Sequence, residues 1–248
     1  MNTSIRELML AGAHFGHRTR FWNPQMADYI YGAYYSTHVI NLDRTLVGLK
    51  KAAEFAHSVS AESGTVLYVC AKTVAGEVIA DQAEKVGMPF VTHRWLGGML
   101  TNFKTTRKSV DRLAKMDSDI AGGALAGMTK KEGIRLLAAR GKLAKSIGGV
   151  RRMAELPDAL FIVDVGWHKG AVREANLLGI PVMAVVDTNH SPAGVDYVIP
   201  GNDDSRHAIE IYAREISDAV RRGREERDAR VLAEASAASD SPDSGPSL

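Results

Sequence analysis

Ala159-Leu160-Phe161-Ile162-Val163-Asp164 and Pro181-Val182-Met183-Ala184-Val185-Val186-Asp187 are two short apolar runs that each close on an aspartate. No polar residue interrupts either run, so a strand built from one must be covered on both faces, the condition of a parallel strand between helices. Between them, Leu178-Gly179-Ile180-Pro181 reads as a glycine C-cap with a proline close behind, the end of a helix. Working outward, Thr65–Cys70, Phe90–Thr92 and Tyr197–Ile199 have the same character. Strands alternating with helical patterns predict a parallel α/β sheet in a three-layer body, with Val39–Leu42 as one further candidate strand.

The ends of the chain carry capping signals. Ser4-Ile5-Arg6-Glu7 fits a capping box ahead of Leu8, Met9 and Leu10, which predicts a short N-terminal helical arm before Gly12. Asp203 or Asp204 is expected to cap a long helix running toward Arg230. Residues 233–248, rich in Ala, Ser, Asp and Pro, bury too little apolar area to repay ordering and are expected to be disordered.

Charge is unevenly placed. Lys and Arg number 31 against 29 Asp and Glu, a formal net charge of +2, yet Leu100–Glu155 holds thirteen basic and five acidic residues. The rest of the chain is therefore net acidic, and one segment concentrates the positive charge. Within it Phe103, Val110, Leu113 and Met116 keep helical spacing, and Ser118–Met128 loosens into Gly and Ala. Thr129-Lys130-Lys131-Glu132 is a second capping box, opening a helix through Ile134, Leu137, Leu143 and Ile147 that Gly148-Gly149 stops. The expectation is a basic antiparallel helical hairpin, residues 104–149, inserted into a discontinuous α/β domain of residues 1–103 and 150–232. It has too few large apolar residues for a core of its own, so it should project and offer its charge to RNA or an acidic partner.

With 248 residues and 45% hydrophobic content, the chain can fill a sizeable core. Cys70, the sole cysteine, excludes an intrachain disulfide and, among apolar neighbours, reads as a buried strand position in a reducing, cytoplasmic protein. No apolar stretch of about 18 residues and no signal peptide pattern occurs, so no membrane is expected.

Two chemistries compete for the function. In the N-terminal segment Arg18 and Arg20 flank Thr19 beside Phe15, Phe21 and Trp22, a mixture suited to phosphates next to stacked bases. The plainer account has the aromatic rings anchoring an arm to the sheet. Against both stands an α/β enzyme, small-molecule or metal-dependent, using the Asp187 and Asp203 neighbourhood. Its material is the polar set Asp164, His168, Asp187, Asn189, His190, Asn202, Asp203 and Asp204. Such residues at strand ends more often satisfy backbone amides. Ala71-Lys72-Thr73-Val74-Ala75-Gly76-Glu77 lacks the glycines of a phosphate loop, and no paired-cysteine, H-E-x-x-H or G-x-S-x-G pattern is present. No catalytic residue, metal or cofactor is expected.

Thr92-His93-Arg94-Trp95-Leu96-Gly97-Gly98-Met99-Leu100-Thr101-Asn102-Phe103-Lys104-Thr105, together with Gly12–Pro24, closely resembles the signatures of the bacterial-type ribosomal protein S-two family. The likeness extends over about residues 4–230, through Leu156–Phe161, Glu174–Pro181, Val186–Asn189 and Asp196–Asp204. It implies a flavodoxin-like (Rossmann-like) α/β fold with a protruding hairpin, and an architectural role in the small ribosomal subunit. The implied partners are small-subunit rRNA, neighbouring small-subunit proteins and ribosomal protein S-one, which it would help recruit; no homo-oligomer is expected. Carried onto this chain, the implied rRNA contacts are Arg18, Arg20, Arg94, Lys104, Arg107, Lys108, Lys130 and Lys131. The chain departs from the family at Gly166-Trp167-His168-Lys169, where further acids are usual and whose loss argues against a divalent ion, and at Ala138–Lys142, usually richer in glutamate.

Overall fold

A computed structural model describes residues 3–239. The chain opens with α1 (Ile5–Leu10) and three short strands, β1 (Phe15–Arg18), β2 (Ile30–Tyr34) and β3 (Thr37–Ile40). It continues through α2 (Leu42–Ala61), β4 (Val66–Val69), α3 (Gly76–Lys85), β5 (Phe90–Val91), α4 (Phe103–Ala121) and α5 (Lys130–Ile147). β6 (Ala159–Val163), α6 (Lys169–Leu178), β7 (Val182–Val186), β8 (Tyr197–Pro200) and α7 (Arg206–Ser239) complete it. The five later strands form one parallel sheet in the order β5-β4-β6-β7-β8. Numbered among themselves that order is 2-1-3-4-5, consistent with a flavodoxin-like fold, whose strand order reverses between β4 and β6.

The apolar runs behave as period-two strands with two buried faces. Val66, Tyr68, Phe161, Val163, Met183 and Val185 point into one core, where α2, α3 and α7 contribute Leu49, Ala56, Ile79 and Ile216. Their neighbours Leu67, Val69, Leu160, Ile162, Ala184 and Val186 point into the other, with Ala171, Val172 and Ala175 of α6 and Val110 and Leu113 of α4. Tyr68 is wholly buried, and its hydroxyl meets Ser217 at 3.1 Å, so the ring fills volume without stranding its polar tip. Helix α7 lies close on α2: a Cβ at Gly223 would run into the His57 carbonyl, so only glycine permits this approach. Cys70 is fully buried just after β4, as expected.

Five details differ from expectation. Val39–Leu42 does not join the parallel sheet; Thr37–Ile40 is the middle strand of a separate antiparallel sheet, β1-β3-β2, and Leu42 already begins α2. Only half of the Ser4 capping box forms: Ser4 Oγ accepts from Glu7 N–H, but the Glu7 carboxylate pairs with Arg214 of α7 at 2.6 Å. The cap of α7 is Ser205, whose Oγ accepts from Ala208 N–H; Asp203 is buried elsewhere and Asp204 faces Lys72. Helix α4 persists through Ser118–Ala121 before the glycines end it, because Ser, Asp and Ile are compatible with its last turn. Helix α7 extends past Arg230 to Ser239, and the remainder of the expected disordered tail, residues 240–248, lies outside the described residues.

Candidate nucleic-acid interface

The Trp95–Asn102 segment is organised by one carboxylate. Glu174 on α6 accepts at Oε1 from Trp95 Nε1 (3.0 Å) and Gly98 N (2.8 Å), and at Oε2 from Leu100 N (2.9 Å), Thr101 N (3.1 Å) and the Thr101 hydroxyl (3.3 Å). Burial pushes its pKa up, but the donors from Trp95, Leu100, Thr101 and Gly98 outweigh burial and hold it below the usual carboxylate range. Gly98 sits at φ +81°, which a side chain would strain. With Trp95 half-buried against the second core, the loop leaves Arg94 exposed beside a cleft of about 520 Å3 shared with Trp167 and Gly170.

The eight basic candidates occupy four places rather than one patch. Arg18 is exposed on β1, and Arg20, in the turn Thr19–Phe21, lies 4.5 Å over the Phe21 ring. Arg94 stands on the loop just described. Lys104 and Lys108 are exposed in the first turns of α4, whereas Arg107 between them is half-buried and donates to the Met153 carbonyl at 2.9 Å, tying the helix to the chain after α5. Lys130 and Lys131 are exposed in the first turn of α5. Both halves of the Thr129–Glu132 capping box are present there. Lysines in the first turn of a helix oppose its dipole, a local cost that stability alone does not explain. Asp117 of α4 bridges Arg140 of α5 and Arg151, both at 2.7 Å, so two of the thirteen local cations are spent internally.

The polar set expected at the strand ends does converge, at the sheet's switch point, around a residue that composition did not single out. Lys72, just after β4, places its ammonium 2.6 Å from Asp203 and Asp204 and 3.3 Å from Asp164. His17 joins from β1, 3.2 Å from Asp187 and 3.5 Å from Asp204, and hydrogen bonding to Asp187 raises its pKa. The only advance signal for Lys72 was a lysine directly behind an apolar strand; nothing local marked His17. Asp203 is fully buried, and burial reinforced by Asp187 lifts its carboxyl to about 7 against the pull of Lys72. His168 Nε2 accepts the Ala71 N–H at 2.9 Å.

Capping and clustering coexist here. Asp164 also accepts from Trp167 N–H, Asp187 from Thr188 N–H, and Asn202 from the N–H groups of Asp204 and Ser205. Asp164, His190 and Asp203 could gather around a cation, their ligand atoms lying within 4.8 Å of one another, but Lys72 already occupies both carboxylates. The His190 ring covers Gly166, where any Cβ would collide with it. The arrangement is a partly neutralised clasp joining the ends of β4, β6 and β7 to the start of α7.

Among the described residues no helix is long and apolar enough to cross a membrane. Compared with known families, the chain matches the family model described as Ribosomal protein S2 over residues 8–223.

Proposed function

Because the chain belongs to the ribosomal protein S2 family, we propose that it binds small-subunit rRNA through Arg18, Arg20, Arg94 and the basic residues of α4 and α5. The family is one of structural proteins of the small ribosomal subunit, acting in translation within a ribonucleoprotein, and not a family of enzymes. In this reading α4 and α5 are a hairpin projecting from the sheet, and α1 with the antiparallel sheet forms the N-terminal arm. The supporting observation is the exposure of Lys104, Lys108, Lys130 and Lys131 on two helices whose buried apolar residues are confined to Val110, Leu113 and Ile147. Phosphates would be neutralised by these cations with release of counterions, and duplex RNA would be read by shape, since its base edges are hidden. Arg107, already engaged with Met153, would contribute a single outward edge of its guanidinium. The role in recruiting ribosomal protein S-one rests on the family likeness, and the enzyme alternative is not supported by the self-paired Lys72 cluster.

The test is replacement of Lys104, Lys108 and Lys131 by Glu, leaving Arg107 in place so that the base of α4 keeps its tether. The variant should retain its circular dichroism and melting temperature yet co-sediment poorly with small subunits at moderate salt. Wild-type levels of co-sedimentation would remove α4 and α5 from the RNA interface.

A further inference from the structure

The β2–β3 connection is a two-residue turn built from residues ill suited to it. Tyr34 pairs with Thr37, leaving Tyr35 and Ser36 as the loop, with φ of +43° and +61°. Positive φ at both positions is the pattern of a type I′ turn, which Asn-Gly fills without strain; a tyrosine there is costly. The side chain is nevertheless displayed: Tyr35 is 87% and Tyr34 67% exposed, and their rings meet edge to face at 4.5 Å. Such burial as the pair achieves is against itself, so core packing does not account for it.

The surroundings are cationic. Arg18 is the cross-strand neighbour of Thr37, and the Thr19 N–H donates to the Ser36 carbonyl at 2.9 Å, which brings the Arg18–Arg20 turn alongside the loop. Both arginines are exposed, and among the described residues no ion pair includes either. Asp28 is the sole acid between Leu8 and Leu42. Exposed rings at the end of a hairpin with guanidinium groups alongside suit one ligand chemistry: unpaired bases stacked on the rings, their phosphates on the cations. Tyr31 of the same hairpin is a third exposed ring, and the family's place in a ribonucleoprotein favours RNA over a protein as the partner of these rings and cations.

We propose that Tyr34 and Tyr35 form a stacking platform for unpaired RNA bases, with Arg18 and Arg20 holding the adjoining phosphates. This rests on the rRNA-binding reading and adds a single-strand site distinct from the duplex-reading helices. The experiment measures anisotropy of the full chain with a labelled 12-nucleotide single-stranded RNA and, separately, with a 12-base-pair RNA duplex. Tyr35→Asn keeps the turn while deleting the ring, Tyr34→Thr keeps the strand, and Tyr34→Phe with Tyr35→Phe retains both rings. Each ring removed should weaken single-strand binding by about fivefold to a hundredfold, with duplex affinity unchanged and the Phe variant near wild type. Equal loss for both RNAs, or no loss for either while the Lys104/Lys108/Lys131 reversal still weakens duplex binding, would overturn the platform alone. Wild-type protein that binds neither RNA would overturn the rRNA-binding reading and the platform with it. Unchanged RNA affinity of the ring-deleted variants with failed incorporation into subunits would assign the turn to a protein contact instead.

Discussion

At the residue scale the switch-point clasp turns protonation into stability. His168 must stay neutral, because its Nε2 is the acceptor for the Ala71 N–H. Burial is the main reason its pKa falls from 6.5 to about 4, Lys72 lowering it further and Asp164 opposing. A group that binds its proton more weakly when folded lets the unfolded chain gain protons first. Its contribution is whole above about pH 6.5 and is lost as pH falls toward 4, on the order of 3 kcal/mol for a shift of this size. Asp203, raised to about 7, acts oppositely: its burial costs stability as pH climbs from its ordinary 3.8 through 7. A comparison of variants therefore isolates the histidine better than the raw profile does. His168→Gln, which retains an acceptor for Ala71, should flatten the decline of the urea midpoint between pH 6.5 and 4; parallel curves for variant and wild type would refute the assignment.

At the scale of elements, α5 is a helix fixed more by its ends than by its middle. Its capping box is complete and Ile147 anchors its far end, yet Gly141 lies in the interior with nothing within 4 Å of where a Cβ would stand. The backbone freedom of that glycine opposes the helix with no packing in return. Gly141→Ala should raise stability by about 1 kcal/mol, read from denaturant midpoints, without altering RNA affinity. Helices α4 and α5 were legible in the sequence because caps and apolar spacing are local properties. The capping box at Ser4 was only half correct for the opposite reason: Glu7 found a stronger partner in Arg214, 207 residues away, which no local pattern records. Val39 failed likewise, since alternation marks a strand but not the sheet it joins.

For the whole molecule, the placement of charge outweighs its sum. A protein of formal net charge +2 would be a weak generic binder of RNA, but the concentration of thirteen cations in Leu100–Glu155 makes a local field that the acidic remainder does not cancel. If six or more cations contact phosphates, affinity for rRNA should fall by about 1,000-fold or more between 50 and 200 mM salt. Filter binding across that range checks this, and a loss of less than about tenfold would mean that only one or two phosphates are engaged. The acidic clasp at the sheet's carboxyl edge contributes less to the outside field than its four aspartates would alone, because Lys72 and His17 offset part of their charge from within.

The sequence by itself determined the parallel sheet, its two cores, the capped start of α5 and the family, because continuous apolar runs, a complete capping box and long motifs are properties of neighbours along the chain. It also located the eight basic candidates, though not their states. Only the tertiary structure decided that Arg107 is a tether, that one carboxylate of α6 shapes the Trp95–Asn102 loop, and that Lys72 and His17 close the aspartates into a clasp. Those partners lie 46 residues apart for Arg107 and Met153, 76 for Gly98 and Glu174, and 131 for Lys72 and Asp203. Burial and charge pairing depend on distances in space, which the order of residues does not carry.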